Sequence, residues 1–302
     1  MHRVPAPLLF LFSGVTQYVG AGLAVGLFTV VPATAVAWSR IAVAAVILLA
    51  WGRPWRTRWD GPTLRAALLF GVVLAAMNCT FYASLDYLPL GNAVAIEFVG
   101  PVLVGALTGR GVRERVAIAL ALVGVVLLAG ITLTSGDDGA VVGIVLVLAA
   151  AACWAGYILL GRKVSRQSTG LGPLAVGMAA GAVVFAPFFG PSSVPLFTDW
   201  GYLAALVGIA VASSVVPYGI DQVVLRRLRP AQFSILLAIW PASALLVGAV
   251  MLRQVPHGLE IVGLVLVSVA IALTGRTPAP SADRPGETPT DPEADGVPPR
   301  AG

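Results

Sequence analysis

One carboxylic acid sets the chemistry open to this sequence. Glu97 stands inside the apolar run Ala-Val-Ala-Ile-Glu-Phe-Val-Gly-Pro, residues 93–101. Placing an ionisable group at the centre of a bilayer costs at least about 2.5–3.5 kcal/mol, so it needs a reason. A carboxyl at that depth can bind a solute or take up and release a proton. The alternative is a structural carboxyl hydrogen-bonded between helices. Pro101 follows four residues on, and its ring removes the backbone hydrogen bond to the Glu97 carbonyl. A free carbonyl and a carboxyl then share one helical level. Arg40 is the second ionisable residue within an apolar run, about seven residues from its start. It holds a substrate carboxylate, pairs with Glu97, or snorkels to the interface.

Around these two lie polar and aromatic candidates. Asn78, Tyr82 and Asp86 recur at spacing four, which puts them on one helix face. Ser214, Tyr218, Asp221 and Gln222 form a second such face, and Ser13, Thr16 and Gln17 a third. Together they would line a polar cavity for a hydrogen-bonding solute; interhelical hydrogen bonds are the competing explanation. Asp86 and Asp221 fall near helix ends, where exposure accounts for them. Trp154, Tyr157 and Trp240 are deep aromatics, read as packing first and cavity lining second. No phosphate loop, metal-ligand cluster or catalytic triad is present, and His2 and His257 are peripheral. Cys79 and Cys153 read as small buried residues. The sequence therefore implies no metal, no cofactor and no enzymatic reaction, and it leaves ion or substrate gradients as the energy source.

The elements that position these residues follow from composition. Hydrophobic residues make up 58% of the 302-residue chain and charged residues 11%, where a soluble domain carries about 25% charged. Apolar stretches of about 20 residues, the length a helix needs to cross a bilayer, recur throughout. Runs such as 116–133 show none of the alternation a membrane barrel strand requires. The chain is predicted to be an all-α polytopic membrane protein of ten transmembrane helices. Their spans are 7–28, 33–51, 63–85, 89–108, 114–133, 141–161, 173–190, 200–222, 230–252 and 258–275, separated by turn formers or charges such as Pro191 to Asp199. The first apolar run is too long for a cleaved signal.

Charge fixes the expected sides. With the N-terminus in the cytoplasm, 17 of the 19 Lys and Arg residues fall on cytoplasmic segments, Arg40 and Arg253 being the others. Outer loops carry Asp86, Asp137, Asp138 and Asp199 instead. This distribution accounts for the net charge of +5 without nucleic acid. Trp51, Trp55 and Trp59 mark one interface. The tail 277–302, rich in Pro, Asp, Glu and Gly, reads as a disordered cytoplasmic end.

A shift of 140 residues aligns Gln17 with Tyr157, Asn78 with Tyr218, Tyr82 with Gln222 and Pro101 with Pro241. Two five-helix halves, 1–136 and 137–276, follow. An odd number of helices per half forces opposite orientations, a recurring plan of secondary transporters with the substrate near the midplane.

Several stretches resemble the EamA-type branch of the drug/metabolite transporter superfamily, more narrowly its bacterial threonine/homoserine exporter group. They are Met77 through Pro101 with its Glu-Phe-x-Gly-Pro element, Ala-Cys-Trp-Ala-Gly-Tyr-Ile-Leu at 152–159, and Pro-Tyr-Gly-Ile-Asp at 217–221. The resemblance spans roughly residues 8–275. It implies a multi-pass protein of the bacterial inner membrane with both termini cytoplasmic, exporting small amino acids or related metabolites by alternating access and linked to the proton motive force. Export or import of another small solute, such as a drug, purine or sugar derivative, is the alternative, followed by a non-transporting membrane scaffold. Expected partners are a small-molecule substrate, the lipid bilayer, a proton as coupling ion and an optional oligomeric partner, with no nucleic acid. Two departures stand out. Trp240 precedes Pro241 where the family commonly has Glu, and Arg253-Gln254 replaces a Gly-Glu pair.

Overall fold

Without water in the hydrocarbon core, each backbone N–H and C=O must be satisfied within its own segment, and the helix does this locally. The computed structural model describes residues 6–57, 59–108, 111–134, 139–167, 171–225 and 237–274, and among them the regular elements are all helical. α1 (Ala6–Val25) continues into a 3₁₀ turn, Gly26–Thr29, before α2 (Ala33–Gly52). α3 (Gly61–Ser84) begins at Asp60, which accepts a hydrogen bond from the Thr63 N–H at 3.4 Å. Hydrogen bonding from Thr63 holds the Asp60 carboxyl below its usual range. α4 (Leu90–Glu97) and α5 (Val99–Thr108) share one span, broken at Phe98. Then come α6 (Val112–Thr134), α7 (Ala140–Gln167) and α8 (Gly172–Thr198). α9 (Trp200–Ala210), a π-helical turn (Val211–Val215) and α10 (Val216–Leu225) form the next span. α11 (Trp240–Met251) and α12 (Gly258–Thr274) complete the set.

A helix underlies each of the ten predicted spans, in whole or part. Among the described residues, six helical stretches are long and apolar enough to cross a membrane: 8–29, 33–56, 61–84, 140–161, 172–198 and 200–220. Shorter apolar helices cover 90–104, 240–251 and 258–273. The molecule is a polytopic helical membrane protein. Residues 226–236, the start of the ninth predicted span, and the tail 277–302 lie outside the described residues.

One boundary needs correction. Pro191 to Asp199 was expected to separate two helices, yet α8 continues to Thr198 with Pro187, Pro191 and Pro195 inside it. Proline breaks helices in water, but membrane helices tolerate it because neighbouring groups re-satisfy the freed carbonyls. Spacing of four also keeps the three rings on one side, so the helix can bend without ending. α7 likewise runs past its predicted end at 161 to Gln167.

Small residues allow the helices to cross closely, as expected where lipid removes the hydrophobic drive between them. α3 packs against α7 and α8, α2 against α8, α6 against α12, α1 against α10 and α11, and α4 against α11. At the α3–α8 crossing, a Cβ on Gly71 would fall on the backbone carbonyl of Gly177. Backbone cannot move aside as a side chain can. Gly71→Ala is therefore expected to destabilise the protein by about 1–3 kcal/mol through overpacking. Gly208, with nothing within 4 Å of its added Cβ, is the control. Melting in detergent checks both, and an unchanged midpoint for Gly71→Ala would refute the close crossing.

Candidate functional site

The span carrying Glu97 breaks where proline chemistry requires. Pro101 has no N–H to give the Glu97 carbonyl, and α4 ends at Glu97 with a turn at Phe98. The Glu97 side chain is 8% exposed and opens onto a cavity of about 50 Å³. Its other walls come from Gln17, Tyr18 and Ala21 of α1, Arg40 of α2, Met77, Asn78, Phe81 and Tyr82 of α3, Trp154 of α7 and Tyr218 of α10. Elements from the front and rear of the chain thus converge on one point.

Arg40 does not snorkel. It is 4% exposed and turned inward. Its Nη2 donates to Asn78 Oδ1, and its Nη1 donates to the Ser213 carbonyl at 3.3 Å. The guanidinium carbon sits 4.7 Å from the centroid of the Tyr82 ring, a cation–π distance. Asn78 is itself held by donating Nδ2 to the Leu74 carbonyl at 2.8 Å. The Ser213 carbonyl belongs to the π-helical turn, a feature common at functional sites. Gly20 on α1 lets that turn approach, since a Cβ there would meet the Ser213 Cβ at 2.7 Å.

The electrostatics are unusual for a protein interior. Arg40 and the Glu97 carboxyl stand beside the same small cavity, yet they form no ion pair within 4.0 Å. Among the described residues, the Glu97 carboxylate accepts no hydrogen bond. Arg40 Nε is buried without a partner. Buried charges are normally paired, and an unpaired one is costly. Arg40 Nε and the Glu97 carboxyl are thus left without partners among the described residues.

Of the expected site residues, Gln17, Arg40, Asn78, Tyr82, Glu97, Trp154 and Tyr218 are brought together around this cavity. Pro101 shapes the helix break and stays outside the lining. Tyr157 is also outside it, stacked on Phe70 at 4.6 Å. Trp240 lies beside the cavity in an aromatic cluster. It stacks on Phe10 at 5.2 Å and meets Tyr18 and Phe98 edge-on, while Phe98 reaches Trp154 at 4.7 Å. Its buried indole N–H has no hydrogen-bond partner. The side chains of Asp221 and Gln222 lie outside the described residues. Asp86 is exposed in the turn after α3. Tyr18, Met77 and Phe81 had not been anticipated as lining, since apolar or aromatic residues in an apolar run carry no signal of their own.

Comparison with known proteins shows what the chain is similar to. The EamA-like transporter family matches residues 141–276. The threonine/homoserine exporter RhtA of Salmonella typhimurium (strain LT2) is 34% identical over 254 residues, covering 83% of this chain and 84% of that protein. RhtA of Escherichia coli (strain K12) is 33% identical over 263 residues, covering 85% and 88%. A solved structure with a TM-score of 0.58 and 20% identity covers 89% of this chain and 95% of its own, which is a likeness of fold.

Proposed function

The chain belongs to the EamA-like transporter family and is a membrane-embedded exporter of small molecules; on that premise we propose that it exports small amino acids of the threonine and homoserine kind by alternating access, driven by the proton motive force. The observation that carries this reading is the pair of buried ionisable groups, Arg40 and Glu97, that face one cavity without pairing to each other. An amino acid is a zwitterion, with one anionic and one cationic group on the same carbon. Arg40, whose Nε–H has no partner among the described residues, holds its carboxylate when the helices part and expose the guanidinium. Glu97 takes the ammonium. Asn78, Gln17 and Tyr218 receive the side-chain hydroxyl, and Trp154 closes one wall. When the site is empty, the Glu97 carboxyl is the group that carries the coupling proton.

The cavity has room for about one or two waters, each claiming about 30 Å³. A bound amino acid therefore requires the surrounding helices to separate. In this account residues 1–136 and 137–276 are inverted five-helix repeats that rock about the site. The packing pattern supports the relation. α1 lies on the eighth span as α7 lies on α3, and α1 meets α11 as α7 meets α4 and α5. The α6–α12 crossing is reciprocal: a Cβ on Gly124 would meet the Gly263 carbonyl at 2.7 Å, and one on Gly263 the Gly124 carbonyl at 2.9 Å. Such exchange of i and j is what a two-fold axis produces.

The functional test is counterflow of labelled L-threonine and L-homoserine in proteoliposomes, with and without an imposed proton gradient. Saturable exchange that the gradient accelerates is expected; exchange absent for both solutes would overturn the assignment. For topology, single cysteines at Asp138 and Trp200 in a background lacking Cys79 and Cys153 are expected to react with an impermeant maleimide from outside whole cells. A cysteine in the tail 277–302 should react only after lysis. The reverse pattern would overturn the orientation, and labelling of the tail from the same side as Asp138 would overturn the inverted halves.

A further inference from the structure

A second cavity opens where the turn before α4 meets the turn between α11 and α12. It measures about 230 Å³, several times the first. Its polar walls are Asn92, Gln254, His257 and Glu260, none of which touches the first cavity. Asn92 precedes Glu97 by five residues on the same helix, a rise of about 7.5 Å. The two cavities therefore lie in sequence along α4.

The polar groups here are held across the α4–α12 contact. Asn92 Nδ2 donates to Glu260 Oε1 at 2.6 Å, and the His257 N–H donates to Glu260 Oε2 at 2.7 Å. The Leu90 N–H donates to Gln254 Oε1 at 2.9 Å. Glu260 is 7% exposed. Its one ion-pair contact among the described residues is the ring of His257, at 3.5 Å and itself largely exposed. No Arg or Lys reaches it within that set. Glu260 stands in the first turn of α12 and caps it through the His257 N–H. With two neutral amides and the helix end as partners and no full positive charge among them, its carboxylate still turns negative potential on the space beside it.

That field selects a cation, and the volume selects its size. A water molecule claims about 30 Å³, so the space holds a body of several heavy atoms and is oversized for a bare ion. Leu245, Val255 and Pro89 supply apolar wall for a short aliphatic chain, and Tyr87 supplies an aromatic ring, a favourable neighbour for ammonium. We infer that this cavity is a second binding site for a small solute bearing a primary ammonium group, with Glu260 as its anchor. Resting on the amino-acid reading above, it is the next station of the exported molecule along α4.

Equilibrium binding of radiolabelled L-threonine to the purified full-length protein, counted by scintillation proximity, tests this. Two sites per chain are expected in the wild type, one in Glu260→Gln, one in Glu97→Gln and none in the double variant. Val255→Trp fills the cavity from an exposed wall without touching the polar network, and it should also leave one site. Ethanolamine, which has the ammonium but no carboxylate, should displace label only from the site lost in Glu260→Gln. A single wild-type site, abolished by Glu97→Gln and untouched by Glu260→Gln and Val255→Trp, overturns the second site and leaves the central one standing. A site lost only in Glu260→Gln removes the central reading instead. Displacement by sodium but not ethanolamine overturns the ammonium assignment.

Discussion

Glu97→Gln is expected to weaken L-threonine binding at the central site about 10- to 100-fold and to make counterflow insensitive to an imposed proton gradient. The size follows from losing one hydrogen bond to a charged group, about 1.5–3 kcal/mol, at tenfold per about 1.4 kcal/mol. Glutamine keeps the shape of the side chain, so the cavity walls and the helix break at Phe98 should survive. Because the Glu97 carboxyl accepts no hydrogen bond from the described residues, its replacement strands no donor among them. The melting temperature should accordingly stay close to that of the wild type, since a neutral amide replaces a protonated carboxyl of the same shape. Binding, gradient dependence and melting are read on one preparation. Unchanged gradient dependence would remove Glu97 from the coupling step, and a collapsed melting temperature would make it a structural carboxyl.

Arg40→Lys carries the second large effect, and its sign differs. Arg40 ties α2 to α3 through Asn78 and to the π-helical turn through the Ser213 carbonyl. Lysine retains the charge but is a point donor on a flexible stem, and it cannot reach two neighbours and a ligand at once. Stability should fall by about 1–3 kcal/mol for each buried acceptor left unmet. Threonine binding should weaken at least about 10-fold, with the loss concentrated on the carboxylate. Amines lacking a carboxylate should be unaffected. Full binding with reduced stability would assign Arg40 to architecture alone.

Much of the fold was legible because the bilayer imposes a length and a polarity on every span. Arg clusters and turn residues then punctuate the chain at intervals a helix can match. The exceptions have local causes. Pro191 and Pro195 look like a loop to any rule drawn from water, and α8 passes through them because lipid leaves the chain no cheaper alternative to a helix. The π-helical turn at Val211–Val215 has no residue signature, although it decides which carbonyl Arg40 meets. Depth picked out Glu97 and Arg40, because an ionisable residue in an apolar run is rare. It could not show that Arg40 reaches Asn78 instead of Glu97, since that depends on how α2, α3 and α10 are rotated about their axes. Trp154 and Tyr157 are three apart on α7, yet one faces the cavity and the other stacks on Phe70. Gln254 stood out as a departure from the family pattern without a role. Its bond to the Leu90 N–H, and that of Asn92 to Glu260, join residues 164 and 168 positions apart. Pairings at that range become visible only in three dimensions.

The most direct test of the central claim is competition against labelled L-threonine bound to the Glu260→Gln protein, which keeps only the central site, by analogues that each lack one charge. L-Homoserine has both groups, 1-amino-2-propanol has only the ammonium, and 3-hydroxybutyrate has only the carboxylate. If Arg40 and Glu97 together hold a zwitterion, homoserine competes while each singly charged analogue is at least about 10-fold weaker, the cost of one lost charged contact. Equal competition by either singly charged analogue would contradict the account.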